Sequence, residues 1–252
     1  MSDKIIFYDL ANKRETAWNP NTWKTRMVLN FKKIPYETEW VEYPDLAPKL
    51  KALAAGNPLI CHSGVPPNPP GAFADYSCPT IRLADGTYIM DSIPIAETLE
   101  AMHPEPSLHL DNTLWKQASE ICDALIRSAG SDFMVSIVDD ILGERASKWF
   151  AEDRHKRFGM SLYELQEKVG GEKAWQATEE VLSKLKALLT THKEDEGPFM
   201  LGSKPCYGDL IAAGLLEGCR KMDAKKSERM VNFDGSFDKL LVACKPWLER
   251  AN

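Results

Sequence analysis

Residues 18–26 read WNPNTWKTR and concentrate polar chemistry at one point of the chain. Asn19 is of the type that caps a helix, and Pro20 suits the first helical position. Asn21, Thr22 and Lys24 then add an amide, a hydroxyl and an ammonium group within the opening turns. A helix start carries free N–H groups and partial positive charge. The stretch is therefore either a well-capped helix and nothing more, or an anion site. A second start of this kind lies in MDSIPIAETL, where Asp91 and Ser92 precede an apolar run and Pro94 falls in its first turn. Ser92 reads as the N-cap. Free N–H groups there would hold a carboxylate, and Asp91 would attract an ammonium, so an α-amino acid terminus suits the pair. Plain capping is the competing reading. CPTIRL supplies a third feature, because Pro79 cannot donate to a strand ladder and belongs at the strand's first position. A cis Cys78-Pro79 bond would turn the Cys78 backbone outward to pair with an extended peptide. A trans bond is the ordinary expectation, since only about 5% of X-Pro bonds are cis.

These features need elements to hold them. KIIFYDL reads as a short strand, and residues 20–32 as a helix with Trp23, Met27 and Phe31 on one face. YETEWVEY, residues 36–43, alternates as a strand with Tyr43 on the same side as Glu37, Glu39 and Val41. DLAPKLKALAAG reads as a helix ending at Gly56. CPTIRL and TYIMDS flank Asp85-Gly86 as a hairpin, and a helix follows from Ser92. The order is β-α-β-α-β-β-α, with a parallel right-handed crossover at the start and an antiparallel hairpin at the end. The Pro- and Gly-rich stretch 57–77 interrupts it and is expected to be an ordered lid or wall beside a pocket.

Beyond the Pro-containing linker 103–110 the chain reads as helix after helix. Residues 112–142 form one long helix or two joined near Gly130, and a break is expected at Gly170-Gly171. The boundaries are thus 1–102 for an α/β domain, 103–110 for the linker and 111–252 for an all-helical domain. Phe133, Trp149, Phe150 and Tyr163 of the second part, with Trp18 and Trp23 of the first, either line an apolar pocket or belong to the core.

The chain has 252 residues, 44% of them apolar, which supports a substantial core in one or two domains. A net charge of −6 with no basic cluster backed by aromatics argues against nucleic acid. No apolar run approaches the ~20 residues of a membrane span, and no secretory leader is evident. The six cysteines include no C-x-x-C and no close Cys/His cluster, so reduced thiols in a cytoplasmic setting and no metal are expected. Most read as small buried hydrophobes, with Cys78 the exception to watch.

The arrangement of a proline before the third strand, an acid-Ser pair before the third helix and a following all-helical part resembles the cytosolic glutathione transferases. WNPNTWKTRMVLNFKKIPYETEWVEYP and the Pro-rich insertion are similar to the A-type Fungal (FuA) class, whose relatives include bacterial lignin β-etherases. The resemblance implies a thioredoxin-like first domain, glutathione as co-substrate and a homodimer. It assigns Pro79 the cis form, gives the Cys78 backbone the cysteinyl unit, and gives Asp91 and Ser92 the γ-glutamyl terminus. Serine-type members carry a Ser before the proline of the first helix, donating a hydrogen bond to the glutathione sulfur. This chain has Asn19 there, so the donor is the Asn19 amide or, alternatively, Asn21, Thr22 or backbone N–H groups, with Lys24 adding positive potential, while Asn19 serves only as a cap. Trp18, Trp23, Phe133 and Tyr163 would form the site for aromatic or electrophilic ligands. GSKPCYGDLIAAGLL is similar to the family's capping element, with Cys206 in place of Ser or Thr and Asp209 as the reciprocal acid, which implies a weakened cap. Conjugation, aryl ether cleavage and glutathione-dependent binding of polyphenols all stay open. Glutaredoxin-like reduction has no support, because no Cys lies near residue 19.

Overall fold

Alternating apolar residues and a Pro-led amphipathic run produce the first crossover. The computed structural model describes residues 4–54, 59–60 and 74–252. Strand β1 (Ile5–Leu10) is followed by α1 (Pro20–Phe31), β2 (Tyr36–Val41) and α2 (Tyr43–Ala54). Then come β3 (Leu59–Ile60), β4 (Thr80–Arg82), β5 (Tyr88–Met90) and α3 (Ser92–Met102). The sheet order is β2-β1-β4-β5-β3. β1 and β2 run parallel, and β4 is antiparallel to both β1 and β5, so the expected crossover and hairpin are both present. Gly86 takes φ +90° in the hairpin turn, a conformation that glycine adopts without strain.

Two details differ from the sequence reading. The two-residue β3 adds a strand parallel to β5. Tyr43 also leaves the β2 alternation and opens α2, because Pro44 and Asp45 behind it are first-turn residues of a helix. The lid or wall expected at 57–77 lies outside the described residues, apart from Leu59–Ile60 and 74–77.

The second part is helical throughout: α4 (Leu114–Ser136), α5 (Glu144–Phe158), α6 (Leu162–Val169), α7 (Glu172–Thr191), α8 (Tyr207–Met222), α9 (Ala224–Val231) and α10 (Gly235–Leu248). α4 runs unbroken through Gly130 and ends in a π turn at Ile137–Ile141, closed by Leu142 N–H to the Ile137 carbonyl at 3.0 Å. Gly170-Gly171 separates α6 from α7 as expected, with the Asp132 carboxylate accepting the Gly171 N–H.

α8 is the central post, buried along nearly its whole length. Its glycines let α1 approach: a Cβ on Gly214 would sit 3.2 Å from Trp23 Cβ, and one on Gly218 only 2.8 Å from Pro20 Cα. The cap of α8 is stronger than Cys206 suggests. Asp209 Oδ2 accepts the Cys206 N–H and Oδ1 the Met200 N–H, both at 2.8 Å, and the Cys206 sulfur accepts in return. Two charge-assisted bonds in a buried setting outweigh the poorer sulfur acceptor.

α1 is also pinned from its other side. Arg26 and Asp9 form a fully buried ion pair at 2.8 Å, with Phe7 and Trp40 rings against the guanidinium. The tail beyond α10 returns across the first part. The Ala251 carbonyl accepts the Ala17 N–H at 2.7 Å, the Asn252 carbonyl accepts from Arg26, and Arg250 donates to the Tyr36 carbonyl at 2.6 Å.

Candidate active site

The start of β4 lies at the carboxyl end of β1, since Tyr8 pairs with Thr80 in antiparallel register. The β1–α1 connection departs from that same end, so the sheet brings the tip of α1 and the Cys78-Pro79 bond to one edge. This connection is braced on several sides. Asn12 Oδ1 accepts from the Arg14 and Thr16 N–H groups, Lys13 N–H reaches the Ile141 carbonyl, and Ala17 is held by Ala251.

At the tip, Asn19 is the N-cap of α1, extended at φ −81°, ψ 127°, and its Oδ1 accepts the Asn21 N–H at 2.9 Å. The cap role is therefore filled. Thr22 is fully buried and its hydroxyl donates to the Asn19 carbonyl at 3.0 Å. The Thr22 proton is thereby spent within the helix, which removes it as the tip donor. Asn21 is half-buried at the second helical position. Lys24 does not serve the tip either: its side chain turns into the α1–α4 contact and pairs with Asp123 at 3.3 Å.

Cys78-Pro79 is cis, against the bare frequency of such bonds and as the resemblance implied. The Cys78 thiol is buried, and burial first, then Asp9, pushes its pKa well above the usual thiol range. It is no nucleophile, so any contribution at this point comes from the backbone. Cys122, Cys206, Cys219 and Cys244 are likewise free and buried, while Cys61 lies outside the described residues.

The Pro79 carbonyl accepts the Asp91 N–H at 3.0 Å, which joins the cis bond to the start of α3. Here the sequence reading is corrected by one residue. Asp91 is the N-cap and Ser92 the first helical residue, with Ser92 Oγ donating to Asp91 Oδ1 at 3.4 Å. Asp91 holds φ +83°, ψ 142°, a strained backbone of the sort concentrated at binding sites. Tyr207 at the start of α8 donates to the Ser92 carbonyl at 3.1 Å and fixes this turn from behind.

Residues 18–102 match the glutathione S-transferase N-terminal domain, and residues 118–247 match the glutathione S-transferase C-terminal domain. The chain belongs to the glutathione S-transferase family. It is 30% identical to the glutathione S-transferase-like protein ustS of Aspergillus flavus, over 97% of this chain and 91% of that one. A crystallised glutathione S-transferase of Ceriporiopsis subvermispora, in complex with glutathione, superposes with TM-score 0.81 at 27% identity over 97% of both chains. GSTFuA2 of Phanerochaete chrysosporium gives TM-score 0.81 at 29% identity over the whole of both chains. The α/β part followed by an all-helical part is thus the transferase fold.

The aromatic residues are arranged differently from the expected set. Trp18, Trp23, Phe133 and Tyr163 do not converge. Trp18 is buried behind the tip, its indole N–H donating to the Leu10 carbonyl at 2.9 Å. Trp23 is core, packed on α8, and Phe133 lies in a groove between α4 and α7 beside Trp175. Tyr163 is 57% exposed on α6 and donates to Asp139 at 2.6 Å. The cluster at the tip is centred instead on Tyr43. Its ring stacks on Trp149 at 5.8 Å and 11°, meets Phe150 edge-on at 5.1 Å, and meets Trp18 at 6.4 Å. Arg154 lies 4.1 Å over the Phe150 ring. Burial pushes the Tyr43 phenol above its ordinary range. Tyr43 escaped the sequence reading because strand alternation put it on a solvated face, but the Pro44-Asp45 helix start directly after it was the available signal.

Among the described residues, no group of three or more His, Cys, Asp or Glu side chains is arranged to hold a metal, and no helix is long and apolar enough to cross a membrane.

Proposed function

We propose that this protein is a glutathione transferase that presents the glutathione thiolate, at the tip of α1, to small aromatic electrophiles. One observation carries the reading: a helix tip, a cis-proline turn and an acid-Ser helix start share one edge of the sheet in a chain of this family. In this reading Cys78 pairs through its backbone with the cysteinyl unit, and Asp91 and Ser92 take the γ-glutamyl amine and carboxylate. The sulfur then faces α1, where partial positive charge and hydrogen-bond donors favour the thiolate over a thiol of pKa ~8.5. Attack forms a carbon–sulfur bond as the leaving group departs with its electron pair, and the thiol proton goes to solvent.

The stacked pair Tyr43 and Trp149 also favours a second role, in which aromatic metabolites are held without turnover. Glutathione-dependent aryl ether cleavage is the same thiolate attack with an aryloxide leaving. A homodimer and a cytoplasmic location are supported by the family alone. The test is calorimetry with glutathione, followed by conjugation of a chloronitroarene and of an aryl ether. Binding with conjugation supports the transferase. Binding of glutathione and aromatics with no product on either substrate leaves the holding role, and absence of heat at millimolar glutathione sinks both.

A further inference from the structure

Ala17 is fully buried two residues ahead of the Asn19 cap, and its backbone N–H finds its partner in the second part of the chain, the Ala251 carbonyl at 2.7 Å. The connection from β1 to α1 is otherwise held by local bonds around Asn12, by the Lys13 N–H on the Ile141 carbonyl and by the Trp18 indole on the Leu10 carbonyl. Of the backbone ties, the one to Ala251 lies nearest the cap. The segment that delivers it is itself fastened to α1. Asn30, in the last turn of α1, donates from Nδ2 to the carbonyls of Trp247 and Arg250 at 2.6 and 3.1 Å. Tyr36 donates to Asn30 Oδ1 at 3.0 Å and orients that amide. Arg250 donates to the Tyr36 carbonyl at 2.6 Å and lays its guanidinium 3.7 Å over the Tyr36 ring. Beyond Ala251, the Asn252 carbonyl accepts from Arg26 of α1 at 3.1 Å. One short segment thus grips the body of α1 at Arg26 and Asn30 and the residue that leads into its tip at Ala17.

We propose that residues 250–252 are a positioning strap for the tip of α1. By holding Ala17 against the body of the helix, they keep the donors of the first turn aimed at the glutathione sulfur, and so set how much of that sulfur is thiolate at neutral pH. This assignment rests on the glutathione reading of the site and adds to it a control supplied by the second part of the chain. The strap acts through the backbone of Ala17–Asn19 and meets neither substrate. A misplacement of about 1 Å at a reacting centre can change a rate about 100-fold. One backbone bond at this point therefore matters beyond the modest stability it contributes.

Three variants are compared with wild type in conjugation of a chloronitroarene across pH. Deletion of residues 251–252 removes the acceptor of the Ala17 N–H. Arg250→Ala loosens the strap and leaves that acceptor in the chain, and Ala251→Gly changes the side chain alone. Glutathione affinity is read by calorimetry, bound thiolate by its ultraviolet absorbance and folding by denaturant unfolding. We expect the deletion to hold glutathione affinity within about threefold and to raise the pKa of the rate profile by about one unit. Its kcat/KM should accordingly fall about tenfold at pH 7, with the loss fading above about pH 9 and bound thiolate falling in parallel. Arg250→Ala should move the same way by about threefold, and Ala251→Gly should match wild type. A deletion variant that still unfolds cooperatively but loses the same fraction of its rate at every pH overturns the assignment, because a strap that only holds the fold together would do that. An unchanged profile overturns it too. Should the deletion abolish folding, Arg250→Ala decides by the same criterion. Wild type giving no heat with glutathione places the failure in the reading of the cleft instead.

Discussion

Helices α1 and α8 pack against each other and both begin at a capped turn, but the two turns live in different surroundings. At α1 the cap is Asn19, half-buried, with one local bond to Asn21 and an aromatic cluster beside it. At α8 the capping carboxylate of Asp209 is fully buried, and each of its oxygens takes a backbone N–H. In the proposed function the same device is structural where it is closed and chemical where it is left partly open. α8 supplies the rigidity, so α1 need contribute little stability of its own at the end that the proposed function assigns to substrate.

Breaking the closed turn should have the largest effect. Asp209→Ala leaves two buried N–H groups without their acceptor and should cost about 2–6 kcal/mol in denaturant unfolding. Burial raises the Asp209 pKa to about 6, from an ordinary 3.8. The folded protein therefore binds this proton more tightly than the unfolded chain, and the contribution of this group to stability falls as pH rises from about 4 to about 6. Asp209→Asn removes that titration. Its penalty relative to wild type should accordingly be larger at pH 4 than at pH 7; a penalty that grows with pH would contradict the burial argument.

The next effect tests the contact between the two helices. Gly218→Ala would place a methyl group 2.8 Å from Pro20 Cα, against backbone that has nowhere to retreat. A loss of about 1–3 kcal/mol is expected, accompanied by lower conjugation because the tip itself is displaced. Full activity in this variant would show that the α8 wall does not set the tip.

The smallest stability effects belong to the open turn. Asn19→Ala should cost about 1 kcal/mol as a lost cap, and Asn19→Asp, which caps equally well, less than about 0.5 kcal/mol. Aspartate brings negative charge toward the sulfur of the proposed site, so its conjugation rate should fall at least as far as that of Asn19→Ala. Stability and activity thus separate at α1 and move together at α8. Parallel losses at both sites, measured by unfolding and initial rates, would erase the distinction.

How much of this was legible follows from the range of the interactions. Asn19, Pro20 and the hairpin at Asp85-Gly86 announce themselves locally, because caps and turns are written in adjacent residues. The acid-Ser start of α3 was legible to within one residue. The cis form of Cys78-Pro79 was not readable from the dipeptide, whose ordinary state is trans, and came only with the resemblance. Cys206 suggested a weak cap, yet Asp209 secures it through Met200, which no spacing rule connects to it. The dispersal of the expected aromatic residues has a similar reason. Trp23 and Phe133 are sensible pocket residues by type, but helix periodicity cannot say which apolar face meets another helix and which meets a ligand. Tyr43 was obscured by alternation that ended two residues earlier than it looked.

The return of the tail has a consequence for how the molecule comes into being. Ala17, two residues ahead of the cap at Asn19, is tied to Ala251, and Arg26 to Asn252. Synthesis on the ribosome is vectorial, so the sheet and α1 can assemble long before those partners emerge. The nascent first part would then be folded but incompletely fastened, and the connection into α1 would be fully braced only once residues 250–252 have been made.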